Sequence, residues 1–204
     1  MANVQGPFGF SQVGTASGMP NFAEQGNPRY QISSSYATAI FYGDAVRLNS
    51  SGPTGYIEQW ANGDGGTASR ILAGIFVGCT YYSTSQKKVV WNNYWPGSDA
   101  TGTVSAFVVD DPQSQWKVQS NTSSPLTIAN LGQTVDIVAT PTGNTTTGIS
   151  GLSLSTPTTT VTLPFKIVNL VTSPPGANGT DVTTAYNNVI VAFNNQTYKA
   201  LLGV

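Results

Sequence analysis

No stretch of a dozen residues in this chain carries an apolar stripe at helical spacing, and from Tyr30 onward short runs of Val, Ile, Thr, Tyr and Phe alternate with clusters of Gly, Pro and Asn. A surface helix repeats its apolar residues every three or four positions, whereas β-branched and aromatic runs bounded by turn formers mark a meandering antiparallel β protein. With 22 Gly and 12 Pro among 204 residues, breakers recur too often for long helices. The expected fold is therefore all-β, an antiparallel β-barrel or β-sandwich. Strands are expected within 37–48, interrupted by a Gly43-Asp44 turn or bulge, and at 56–61, 71–80, 87–91, 104–110, 116–120, 134–139, 161–171 and 189–194. Pro164 suits an edge strand or a bulge, because it cannot donate to a ladder. The Thr, Ser, Gly and Asn run of 141–160 reads as a long surface loop or a wandering edge hairpin, with Ile149, Leu152 and Leu154 as its apolar anchors.

Residues 1–29 differ from the rest. Gly6, Pro7, Gly9, Gly14, Gly18, Pro20, Gly26 and Pro28 break any period, so this segment is expected to be an extended, irregular N-terminal arm. Phe8, Phe10 and Phe22 on such an arm need a surface to bury them: the protein's own core, or a neighbouring subunit. The remainder, 30–204, is expected to be one β-rich domain, or two packed β subdomains meeting near 100–125.

Charge narrows the function. Asp, Glu, Lys and Arg make up 8% of the chain, against about 25% in an ordinary soluble domain. The chain is 39% hydrophobic with a net charge of -1, so it should fold rather than stay disordered. Ser, Thr, Asn and Gln carry its polarity, as on a surface built to lie against neighbours. Eight basic residues spread along the chain form no stripe that could neutralise several phosphates, so no nucleic-acid partner is expected. The longest apolar run, 71–79, is far short of the roughly 20 residues that span a bilayer, so no membrane partner is expected either. The N-terminus lacks the basic start and apolar run of a signal peptide, and export by that route is not expected.

Catalytic chemistry finds little material. The chain contains no histidine, which removes Ser-His-Asp and Cys-His arrangements and the commonest zinc sites, and lone Cys79 can form neither an internal disulfide nor a thiolate cluster. Asp110-Asp111-Pro112 reads as a turn, since adjacent side chains on a strand point to opposite faces. Glu24, Asp44, Glu58, Asp99 and Asp136 could supply the carboxylate pair of a glycosidase, but no spacing selects two of them. Asn62-Gly63-Asp64-Gly65-Gly66 lacks the closing Glu of a calcium loop and the Lys of a phosphate loop, which leaves a glycine-rich turn. No enzyme activity, cofactor or metal is expected.

The most distinctive local feature is Trp91-Asn92-Asn93-Tyr94-Trp95-Pro96-Gly97, preceded by Tyr81-Tyr82 and Lys87-Lys88. Aromatic rings beside amides serve a core, a protein interface or a sugar platform. Trp91, Tyr94 and Trp95 therefore join Phe8, Phe10 and Phe22 as candidate interface residues.

Several stretches resemble the head decoration, or cement, proteins of tailed bacteriophages. They are YQISSSYATAIFYGDAVRL at 30–48, Ile71-Leu72-Ala73-Gly74-Ile75-Phe76-Val77-Gly78, Val108-Val109-Asp110-Asp111-Pro112 with Trp116-Lys117-Val118-Gln119, Val135-Asp136-Ile137-Val138, and Phe193-Asn194-Asn195-Gln196. The likeness spans most of 30–196. It implies a structural virion protein on the outside of an icosahedral capsid, associated as a homotrimer and holding neighbouring copies of the major capsid protein together. The alternative is a receptor- or glycan-binding β module of a phage tail or fibre, using the aromatic cluster.

Overall fold

The apolar run Leu72–Ser83 becomes the spine of the molecule, strand β5, in a computed structural model that describes residues 2–16, 27–49, 55–66, 70–139 and 142–199. Before it in the chain come β1 (Ser11–Thr15), β2 (Asn27–Ile32), β3 (Ala45–Leu48) and β4 (Ile57–Gln59). After it come β6 (Lys88–Asn92), β7 (Val104–Val109), β8 (Ser114–Gln119), β9 (Thr134–Val135) and β10 (Ile137–Val138). The last three are β11 (Ser153–Leu154), β12 (Phe165–Leu170) and β13 (Asn188–Phe193). Two antiparallel sheets result: a six-stranded one ordered β2-β7-β5-β3-β4 with β6 also on β5, and a five-stranded one ordered β1-β8-β13-β12-β9. A small β10-β11 ladder lies beside them.

The five-stranded sheet ends at β1 and β9 and the six-stranded one at β2, β4 and β6, and neither closes on itself among the described residues, so the architecture is a sandwich and not a barrel. The chain leaves the first sheet at Val109 and enters the second at Ser114.

β5 is apolar along nearly all its length because both of its faces are covered. Leu72, Ile75 and Val77 join Val109, Trp116, Val118, Phe165, Ile167, Val189, Val191 and Phe193 in the core between the sheets. Ala73, Phe76, Cys79 and Tyr81 face the other way, onto Ile32, Ile40, Trp95, Val104, Ala106 and Val108. Val77 and Cys79 should share a face by simple alternation, yet they lie on opposite ones. The cause is a bulge: the register with β7 shifts between Phe76 and Gly78, and Gly78 sits at φ +148°. Glycine tolerates that backbone and the extra residue rephases the strand.

The second sheet is one-sided. Phe165 and Ile167 of β12 point into the core while Lys166 and Val168 are exposed, the pattern expected of an antiparallel sheet with one wet face. Pro164 stands just before β12, where it blocks no ladder bond, and its carbonyl accepts Asn194 N–H at 2.8 Å. β12 lies inside the sheet rather than at its edge, with its bulge between Ile167 and Asn169.

The N-terminal segment runs extended, but the expectation that it lacks regular structure needs correction at two places. Ser11–Thr15 pairs with β8 around a bulge at Gly14, and Asn27 opens the strand that pairs with β7. The rest of 2–16 is strapped to the protein's own body. Asn3 is the anchor: its amide donates to Asp181 O and Ala185 O, both at 2.8 Å, and its Oδ1 accepts Gly179 and Asp181 N–H. Within 141–160, the ladder strand β11 and the buried Leu152 and Leu154 fix a segment whose tip, Asn144 to Ile149, is a surface turn.

Candidate protein interface

Two of the candidate interface residues are spent on the core, which corrects the expectation for them. Phe10 is 2% exposed and stacks on Phe165 with centroids 4.5 Å apart. Gly9 and Gly43, both at positive φ, bring its backbone to Gly43 O at 2.9 Å and aim the ring inward. Trp95 is fully buried, edge-on to Tyr81 at 5.2 Å, with its indole N–H donating to Tyr36 O at 3.0 Å. Tyr94 is half-buried in an internal stack on Phe41, centroids 5.6 Å apart and nearly parallel. Phe8 is half-buried, with the Lys117 ammonium 5.5 Å from its ring centroid. Phe22 lies outside the described residues.

Trp91 remains outside. It is 64% exposed on β6, beside Val89 at 67% and Tyr82 at 43%. Strand periodicity assembles these three: Val89 and Trp91 are two apart on one face, and Tyr82 is opposite Val89 across the β5-β6 ladder. The bulge glycine supports the arrangement, since a Cβ at Gly78 would lie 3.1 Å from Trp91 Cζ2. One side of the indole thus rests on Gly78, and the rest is open to solvent. Tyr82 is held by its hydroxyl, which donates to Lys87 O at 3.0 Å. The loop closing the hairpin is pinned by Asp99, which accepts Ser83 Oγ at 2.6 Å, Thr84 Oγ1 at 2.9 Å and Ser85 N–H at 3.0 Å. The Ser83 hydroxyl foremost, with those of Thr84 and Ser85, holds the Asp99 carboxyl down at about 2. Gln86, Lys88, Val89, Val90, Trp91 and Asn92 line a shallow recess along the strand, about 430 Å³.

The candidate carboxylates are all engaged where the structure describes them, and it does not bring a glycosidase pair together at an open cleft. Glu58 pairs with Arg47 at 3.1 Å, and Asp64 is clasped by Arg47 and Arg70. Asp136 accepts Trp60 Nε1–H at 3.1 Å, and burial raises its pKa. Asp110 accepts the Tyr30 hydroxyl at 3.1 Å, while Asp111 caps the turn into β8 through Gln113 N–H at 3.0 Å. Asp44 is fully buried; its Oδ2 accepts Phe41 N–H at 2.8 Å and the Gln59 amide at 2.7 Å, and burial pushes its pKa up to about 6. Glu24 lies outside the described residues. Cys79 is buried and reduced, its thiol pushed up to about 12 by burial, which leaves it unreactive.

Val89 and Tyr82 escaped sequence reasoning as surface residues. The sequence carries little signal there, because Tyr81-Tyr82 and Val89-Val90-Trp91 are apolar without alternation, and which of them faces solvent is set by the strand phase that the Gly78 bulge fixes. Compared with protein-family models, curated proteins and solved structures, the chain matches none.

Proposed function

We propose that this protein is a structural component of a phage virion, a decoration protein that binds the outside of the capsid and bridges neighbouring major capsid subunits. The exposed face of Tyr82, Val89 and Trp91 on a rigid hairpin carries the reading. Large aromatic and aliphatic side chains left in water on a well-pinned scaffold are the usual anchors of a protein interface. Low charge over the chain supports it as well, because Lys87, Lys88 and Asp99 of the hairpin are then the few ions near the anchors that a partner must pair. The stretches resembling decoration proteins add the virion context and self-association as a trimer.

A ligand that binds only the assembled shell stabilises that shell by mass action and needs no catalytic group. The test is cosedimentation of the purified chain with empty shells of the virus that encodes it. The wild type pellets with shells, and Trp91→Ala, folded by circular dichroism, does not; a wild type left in the supernatant rejects the proposal.

The recess along β6 favours one second reading, a glycan-binding module of a tail or fibre. An open indole flanked by Gln86, Lys88 and Asn92 offers a stacking plane and hydrogen-bond donors for a sugar. Trp91 fluorescence that shifts on titration with host polysaccharide, with no binding to shells, would favour it.

A further inference from the structure

We infer that β6 is a self-pairing edge, through which two copies of this chain join their sheets about a two-fold axis at Val90. Thr84 N–H donates to Asp99 O and Thr101 N–H to Tyr82 O on the far side of β5, so Ser83, between them, turns its N–H and C=O toward β6. Ser83 faces Lys88 in the ladder. Alternation then directs the backbone groups of Lys88, Val90 and Asn92 at β5, and those of Val89 and Trp91 away from it. β6 has β5 as its neighbour on one side and no strand on the other among the described residues. The recess follows this outer side, since it is lined by every residue of β6 although their side chains alternate between faces.

The other sheet edges are blunted in the ways that prevent edge pairing. β1 and β2 carry register shifts, β4 has 3 residues, and β9 has 2 and is bridged by Thr158. β6 keeps uninterrupted register with β5 over all 5 of its residues.

A second copy is the occupant that β6 fits. Antiparallel self-pairing about Val90 sets Val89 opposite Trp91 of the partner copy and uses every outward N–H and C=O of both residues. Aromatic against β-branched is a favourable cross-strand pair. The same register sets Lys88 against Asn92, so no lysine faces a lysine. A partner strand of other sequence has nothing in β6 that selects it so closely. The pairing would also merge the exposed Tyr82, Val89 and Trp91 faces of two copies into one apolar surface. An isologous contact closes at two, so where the chain also forms trimers it links one trimer to the next. The inference does not depend on shell binding, and its test contains no shell.

The test is sedimentation of the full chain over a concentration series, with mild oxidation of cysteine variants. Wild type pairs its basic unit, and Val89→Pro, which removes an outward donor without touching the β5 ladder, weakens pairing about thirtyfold. Val90→Cys gives a disulfide-linked dimer, because residues facing each other across a non-hydrogen-bonded pair lie within disulfide reach. Lys87→Cys, at the hairpin tip and displaced from its mate, does not link. A mass unchanged by Val89→Pro, or linkage absent at position 90, overturns the inference, even if Val89→Pro alone proves poorly folded.

Discussion

At the scale of single residues, buried polar groups are where this low-charge chain places its specificity. Asp44 holds the turn before β3 and the end of β4 at once, and burial raises its pKa to about 6. A carboxyl raised in the folded state binds its proton more tightly there than when unfolded, so the Asp44 contribution weakens stability as pH rises from about 4 through 6. The ionised group then costs of order 3 kcal/mol at pH 7. Asp44→Asn keeps the accepting oxygen and removes that cost: its urea midpoint should exceed the parent's at pH 7 and converge with it near pH 4. Gln196 works in the opposite sense. Fully buried, its amide donates to Ala73 O at 2.9 Å and Asp110 O at 3.1 Å, tying the C-terminal segment to β5 and the end of β7. Gln196→Ala strands both carbonyls and should cost about 2 to 4 kcal/mol by denaturant unfolding.

At the scale of elements, β6 and the segment after it show how near in sequence two opposite fates can lie. Trp91 and Trp95 are four positions apart in the same aromatic, amide-rich run, yet one is open and the other fully buried. Trp95→Ala should lose about 3 to 5 kcal/mol by opening a core cavity, whereas Trp91→Ala should leave the thermal midpoint nearly unchanged. Composition could not separate them; strand register and the Gly78 bulge do. β5, β7 and β13 were legible from their apolar runs and β8 from its alternating Trp116 and Val118, because all four lie inside the sheets rather than at their ends. β1 was not legible. Its Gly14 interrupts the alternation, and its partner β8 lies about a hundred residues away in the chain, so the bonds that make it a strand are invisible locally. The arm likewise gave no sign that Asn3 would be its anchor. Asn3→Ala, which removes four hydrogen bonds to 179–185, should expose residues 2–8, ahead of the core residue Phe10, to proteolysis without unfolding the sandwich.

At the scale of the whole molecule, a sandwich with most of its polarity in uncharged side chains suits the building-unit role proposed for it. Its described carboxylates are each engaged by neighbouring groups, its thiol is sealed, and the most exposed aromatic side chain among the described residues stands on a pinned hairpin. The fold class followed from composition and periodicity, but the anchor surface became visible only once the sheet was phased. The proposed role is tested most directly by cryo-electron microscopy of particles assembled with and without this chain, paired with heat and chelator challenge. The expected result is added density on the outer shell, with the β5-β6 hairpin at the capsid contact, and greater resistance when the protein is present. Particles with no added density and unchanged resistance would contradict it.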